Sequence, residues 1–354
     1  MRSARRALVP AVAAAAAALA LSGVTSADRP VPRGLPGPLP SFLDCAPTAA
    51  GAERRWLRKA SPLGRGAPDW AERMYRRSLL VLRAATDPRT GAALAGAPAG
   101  WAYVWPRDAA TVALALADAG YRPEARRIVR FLLRLDLGAA ARFYMDGEPV
   151  PGREAQGDAA GWAALAARAA GVPAQIERES WRVRADYQEK DPGDYLANAI
   201  AHGVPPHRLR AMFARRGHLI RRAGDPASGL DTAAAWAVEP FPRPRLSPFL
   251  RRTLIQLAAE GGRFGLLPSQ DWDGGEDPWT APTAWTAWSL AALGERRAAL
   301  GLMAALRRAA TPAGLLPERV DAQTGSPRST TPLAWSHAFA VLALRELWPG
   351  RGRG

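Results

Sequence analysis

The sequence predicts an all-α fold, a toroid or solenoid of antiparallel helix hairpins, on three observations. Past residue 50, apolar residues recur at three- and four-residue spacing in segment after segment, the period of an amphipathic helix. Short turns rich in Pro, Gly and Asp separate these segments, so consecutive helices must fold back on one another. No run alternates apolar and polar residues for long enough to build a substantial sheet.

Each element can be justified in turn. Asp69 caps a helix carrying Trp70, Met74, Leu79 and Leu82. A second runs from about 107 to 119 and stops at Gly120. Pro123, suited to a first helical turn, opens a third with Ile128, Phe131, Leu132 and Leu135 on one face. Further helices are expected near 155–170, 206–222, 247–260, 279–293, 295–309 and 333–347. The stretches 119–125 and 293–298 read as the same helix–Gly–helix joint.

Composition bounds what such a chain can do. Of 354 residues 48% are apolar and 23% charged, which excludes disorder throughout. A single cysteine, Cys45, excludes a disulfide framework and a thiolate metal cluster. The formal charge is +16, yet only Lys59 and Lys190 are lysines, and the arginines are scattered among alanines rather than gathered into a stripe. Nucleic acid is therefore not the expected partner.

The N-terminus reads as an export signal. Arg2, Arg5 and Arg6 precede a run of Ala, Val and Leu from Leu8 to Leu21, and Thr25-Ser26-Ala27 offers small residues for cleavage after Ala27. The run is shorter than the ~20 residues that span a bilayer comfortably, so no membrane span is expected once residues 1–27 are removed. An uncleaved anchor is the alternative. Residues 28–68, rich in Pro and Gly, read as a flexible leader, and 69–348 as the helical domain; the expected location is extracellular.

Aromatic and acidic residues gather where helices begin and end. Among thirteen tryptophans, Trp162, Trp285 and Trp288 lie mid-helix at core spacing. Trp105, Trp181, Trp279 and Trp335 instead lie beside turns. An indole offers a flat apolar face and one N–H donor, which suits a sugar ring. The four histidines lack metal-site spacing, no nucleophile elbow or phosphate loop is present, and no cofactor or metal is expected. Carboxylates remain. Hydrolysis of a glycosidic bond needs only two of them, one protonated to release the leaving oxygen and one ionised to activate water. Glu318, following the apolar run-in Gly314-Leu315-Leu316-Pro317, stands out from an ordinary surface glutamate.

Several blocks, in order, resemble glycoside hydrolase family 15, the glucoamylase family. Ser78 to Ala84 with Thr86-Asp87-Pro88 and Thr90-Gly91-Ala92 resembles its lead-in helix and turn. Tyr103-Val104-Trp105-Pro106-Arg107-Asp108 resembles its W-x-R-D block, Gln156-Gly157-Asp158 its Q-x-D, and Gly314 to Asp321 with Thr324-Gly325 and Trp335-Ser336-His337 its G-L-x-x-E and W-S-H blocks. The resemblance implies an (α/α)6 barrel and inversion at the anomeric carbon. It also implies that Arg107 and Asp108 grip a terminal sugar and that Glu318 is the general base.

The family's general acid follows a Trp, where this chain has Glu179-Ser180-Trp181-Arg182, with Arg182 in the acid's place. Arginine cannot serve as a proton donor near neutral pH. Three readings stay open: Glu179 as the acid, favoured for keeping Trp181 beside it; Glu189, through Asp186-Tyr187-Gln188-Glu189; or a carbohydrate-binding homologue without hydrolysis. The leading expectation is a secreted, inverting, exo-acting hydrolase releasing terminal glucose from α-glucosides, with an oligo- or polysaccharide substrate, an α-glucan foremost. Trp105, Arg107, Asp108, Asp158, Trp181, Trp279 and Trp335 would line its site. Compactness between 182 and 231 suggests one shortened hairpin.

Overall fold

A computed structural model describes residues 51–97, 100–177, 180–189 and 191–350. The export segment 1–27, the leader up to residue 50 and Glu179 lie outside these described residues.

Eleven α-helices are seen among the described residues: α1 (Gly51–Leu57), α2 (Asp69–Ala84), α3 (Pro106–Asp118), α4 (Arg122–Leu132), α5 (Ala159–Ala170), α6 (Leu196–His202), α7 (Pro206–Phe213), α8 (Ser247–Glu260), α9 (Thr280–Ala292), α10 (Arg296–Ala309) and α11 (Ala334–Leu347). A 3-10 helix, Thr232–Ala237, completes a closed inner ring. Around that ring α3 packs on α5, α5 on α6, α6 on the 3-10 helix, that helix on α9, α9 on α11, and α11 back on α3. These inner elements are apolar and small-residue-rich on every face, which is the sequence of a helix buried all round. Outside, α2, α4, α7, α8 and α10 close the hairpins. Helices α4 and α10 keep one apolar stripe and turn their arginines outward. The expected (α/α)6 barrel is thus the observed fold, with two economies. The fourth inner position is a 3-10 helix, and among the described residues no outer α-helix stands between α5 and α6, where the short 3-10 turn Trp181–Val183 is found.

Alanine alone would leave the ring hollow. Its axis is filled by Trp162, Trp236, Trp285 and Phe339 packed edge to face, with Trp162–Trp236 centroids 5.1 Å apart and Trp236–Trp285 5.5 Å. Such pairs add to the large apolar area each ring removes from water. The core role read for Trp162, Trp285 and Trp288 holds. Where α5 and α6 touch, a Cβ on Gly161 would lie 2.1 Å from the carbonyl oxygen of Ala201, so only glycine admits that approach.

Two expectations are corrected. The helix expected over 206–222 ends at Phe213 and gives way to a three-stranded antiparallel sheet, β1 (Ala214–Arg215), β2 (His218–Arg222) and β3 (Asp225–Leu230), in that order. Arg216 and Gly217, at φ +46° and +85°, form the two-residue turn joining β1 to β2, a conformation that a continuing helix cannot contain. The leader reading also fails for 51–68. Trp56 of α1 stacks on Tyr121 at 3.9 Å, Leu63 is buried, and Gly64 N–H donates to the carbonyl of Trp348 at 2.9 Å. Burying Trp56 and Leu63 outweighs the local preference of Pro and Gly for open chain. No helix of the described residues is long and apolar enough to cross a membrane.

Candidate active site

The N-terminal ends of the inner helices converge on one end of the barrel, which brings residues far apart in the chain together. Arg107 and Asp108 stand in the first turn of α3, started by Pro106 at its first position. Asp158 precedes α5, Glu318 lies in the loop before α11, and Glu189 in the loop before α6. Positive helix ends favour the carboxylates clustered there.

Arg107 is the hub. Its Nη1 donates to Gln156 Oε1 at 2.7 Å and to Asp158 Oδ2 at 3.0 Å, while Nη2 lies 3.5 Å from Asp108 Oδ2. Its guanidinium lies over the Trp335 ring, 4.6 Å from the centroid. One buried cation thus serves two buried carboxylates. Burial pushes the Asp108 carboxyl up to about 7 against the pull of Arg107, with the charges of Asp158 and Glu318 adding to the rise. That last influence places Glu318 within electrostatic range of Asp108.

Glu318 is held by its backbone. Its N–H donates to the Thr330 carbonyl at 2.9 Å and its carbonyl accepts from Thr280 N–H at 2.9 Å. Ser329 Oγ donates to Glu318 Oε2. The carboxyl is 6% exposed as a residue, and burial raises it above the usual glutamate range, with the Ser329 hydrogen bond and the charges of Arg319 and Arg153 opposing. His337 anchors the run-in: Leu316 N–H donates to Nε2 at 2.9 Å, so the proton sits on Nδ1, 2.9 Å from Ser78 Oγ. Burial, then the charge of Arg77, lowers this imidazole to about 3, so it stays neutral. Below pH 6.5 the unfolded chain takes up a proton that the folded chain refuses, and this stabilisation is lost as pH falls from 6.5 toward 3. The Tm gap between the protein and His337→Asn is therefore expected to be widest near pH 7 and to narrow by pH 4; calorimetry across that range checks it.

Glu189 joins the same cluster through Trp105, Gln156 and Arg153. Trp105 Nε1 donates to its Oε1 at 3.4 Å and Gln156 Nε2 at 3.2 Å, and Arg153 pairs with Oε2. Its backbone is left-handed, φ +56°, which is unusual for a glutamate and is imposed by the three residues before it. Asp186 pairs with Arg221 at 3.2 Å, Tyr187 donates to Asp231 Oδ1 at 2.8 Å and to the Pro268 carbonyl at 3.0 Å, and Gln188 accepts from Ser269 at 3.2 Å. Asn198 donates to the carbonyls of Arg184 and Ala185. Gly157 N–H reaches the Ala185 carbonyl, and a Cβ there would meet Asn198 at 2.6 Å.

The other expected residues divide. Trp105 and Trp335 belong to the cluster. Trp279 flanks it, half-buried at the start of α9 beside Thr280 and edge-on to Trp272 at 5.2 Å. Trp181 is buried in the loop ahead of Glu189. Arg182 is exposed, pairs with Asp194 at 3.2 Å and lies over the Trp181 ring. Gln156, Arg153, Asn198 and His337 were not singled out as site residues. Gln156 and His337 sat inside blocks already quoted, whereas nothing in sequence marks Arg153 or Asn198.

The fold defines the class: a six-hairpin helical barrel, an architecture similar to that of solved glycosidases. One glycosidase, solved as wild type, is 20% identical with a TM-score of 0.65 over 78% of this chain and 96% of that chain, and a glutamate-to-alanine variant of a glycosidase with the same identity and coverage was solved in complex with glucose. A bacterial glucoamylase complexed with acarbose is 16% identical, TM-score 0.62, over 83% of this chain and 57% of that one. A glucoamylase from Saccharomycopsis fibuligera is 14% identical, TM-score 0.59, over 81% and 97%. No curated protein matches the chain. Residues 70–143 match the family model described as glycosyl hydrolases family 15. Over that segment the chain is similar to family 15, and its fold is that of the solved glucoamylases.

Proposed function

We propose that the chain is an inverting, exo-acting glycosidase that releases terminal glucose from α-glucosides, Glu318 acting as general base and Glu189 as general acid. Arg107, Asp108 and Asp158 would hold hydroxyls of the terminal sugar, with Trp105, Trp279, Trp335 and, from the loop ahead of Glu189, Trp181 shaping its surroundings. The observation that carries this reading is that Glu189 and Glu318 approach one arginine, Arg153, from different loops: Glu189 pairs with it, and Glu318 lies within its electrostatic reach. Glu318 would deprotonate water, and Glu189 would hand a proton to the departing oxygen, which leaves as a hydroxyl. Glu179 remains a proposal for the acid that rests on the sequence alone. Export through residues 1–27 is part of the same proposal.

A second reading has its own observation. Three N–H donors surround Glu189, the environment of an ionised carboxylate rather than a proton donor, which favours a binding protein without turnover.

The purified protein given maltooligosaccharides separates the two. Glucose release is expected of the hydrolase and none of the binder. In Glu189→Gln, kcat on maltose should fall by about 10²–10⁴. Hydrolysis of α-glucosyl fluoride, whose leaving group needs no proton, should survive. Equal loss on both substrates would remove Glu189 as the acid.

A further inference from the structure

Beside the proposed sugar site lies a pair of arginines that hydrolysis of a neutral glucoside does not use. Arg142 and Arg153 sit on adjacent arms of one hairpin: Ala141 N–H donates to the Arg153 carbonyl at 3.1 Å, Val150 N–H to the Arg142 carbonyl at 3.0 Å, and Phe143 bridges to both Val104 and Pro149. The Val104 bridge ties the hairpin to the strand-like stretch that delivers Trp105, so both guanidinia are fixed relative to the site.

The Arg142 guanidinium lies 4.7 Å from the Tyr103 ring centroid and 5.6 Å from that of Trp105. Among the described residues it makes no ion pair, and its Nε is buried without a hydrogen-bond partner. Burial lowers it below the usual arginine range, and only tyrosines, not carboxylates, oppose the drop. Arg153 is lowered too, by burial first and then by the charge of Arg142, so the two cations stand within each other's field. Among the described residues Arg153 forms an ion pair with Glu189, in which both side chains keep a third or more of their surface in water, while Glu318 acts on it through its field alone. Such a half-exposed pair is weak and exchangeable. Two like charges held together at a sugar site, one of them unmatched, form a receptor for an anion, and a guanidinium fork fits a planar or tetrahedral oxyanion.

We propose that Arg142 and Arg153 form an anion-binding subsite, so that the saccharide this site takes carries a carboxylate, phosphate or sulfate group next to Glu189. The proposal rests on the reading of this end of the barrel as a sugar site and narrows its substrate class. It also gives Arg153 two partners, since an arriving anion would draw it from Glu189 and leave that carboxyl freer to carry a proton.

Calorimetric titration of the full chain with glucose, glucuronic acid, glucose 6-phosphate and glucose 6-sulfate tests it. At least one anionic sugar should bind about tenfold more tightly than glucose at low salt, the worth of one charge-assisted hydrogen bond, and the advantage should shrink as salt is raised. Which sugar gains tells a carboxylate from a phosphate or sulfate ester. The advantage should vanish in Arg142→Gln, be partly retained in Arg142→Lys, and be untouched in Arg210→Gln, which removes the same charge from the outer helix α7. Melting curves of each variant keep loss of fold apart from loss of binding. Glucose binding as tightly as all three anionic sugars overturns the proposal, as does an anionic advantage that survives Arg142→Gln or falls equally in Arg210→Gln. Because binding is read without turnover, anionic preference without any hydrolysis would sink the hydrolase reading alone. Hydrolysis of neutral glucosides with no anionic preference would sink this inference alone.

Discussion

Glu318→Gln is expected to lower kcat for glucose release by about 10²–10⁴ without lowering Tm at pH 7. The amide keeps the shape of the side chain and can still accept from Ser329, while the backbone bonds to Thr280 and Thr330 are unaffected. What it lacks is a site for the proton of the attacking water. The sign of the stability effect follows from burial. A carboxyl whose folded pKa is raised contributes stability at low pH that is lost as pH rises, so at pH 7, above the unfolded value, burial of the Glu318 carboxyl is a cost to the fold. Removing the charge removes that cost, and Tm should stay level or rise. Steady-state kinetics and calorimetry on one preparation check both halves. Full activity in the variant would take Glu318 out of the reaction. A large fall in Tm would show a structural role instead.

Arg221→Met should cost about 3–5 kcal/mol of stability, the usual effect of stripping the partner from a buried charge. Arg221 on β2 lies 3.2 Å from Asp186, 3.5 Å from Asp231 and 2.9 Å from Asp271, and its side chain is 4% exposed. Burial opposes its charge, but the carboxylates outweigh burial and hold the guanidinium firmly protonated. One cation for three carboxylates is already short measure, and burial pushes Asp231 up to about 7 despite Arg221. Methionine would match the length and leave the aspartates uncompensated. Protonation would relieve them, so the deficit should be smallest at acidic pH and grow toward pH 8. Glucose release should fall as well, because Asp186, Tyr187 and Gln188 are the residues that set the backbone of Glu189. Urea titrations at pH 5 and pH 8 provide the measurement; an unchanged midpoint at both would mean the cluster carries no net stability.

The two clusters differ in how far they could be read from the chain alone. Arg107 and Asp108 are neighbours at a helix start, with a proline and tryptophans marking the turn, so local spacing exposed them. Glu318 was legible from its apolar run-in Gly314-Leu315-Leu316-Pro317, and Asp158 from the resemblance of its short block Gln156-Gly157-Asp158 to family 15. The candidate acid was legible only as a choice between two glutamates. The Trp181 stretch favours Glu179, which lies outside the described residues. The 186–189 stretch offers Glu189, which the structure brings against Trp105 and Gln156 while Arg182 turns to solvent toward Asp194. The place of Glu189 depends on Arg221, Asp231 and Ser269, residues 32 to 80 positions away in the chain, and no local pattern encodes such a tether. The sheet was missed because a two-residue turn with positive φ at Arg216 and Gly217 is a backbone event inside a stretch whose apolar spacing still suits a helix.

Periodicity, turn chemistry and the order of motifs were enough for the helices, their hairpin pairing and the carboxylate proposed as base, because each depends on residues within one or two turns of one another. Ring closure, the aromatic plug on its axis, the seat of Glu189 and the pairing of Arg142 with Arg153 were decided only by tertiary structure. Those features are contacts between loops and helices that the chain brings together late. Their free energy comes from burying charge and apolar surface jointly, a quantity that no segment holds by itself.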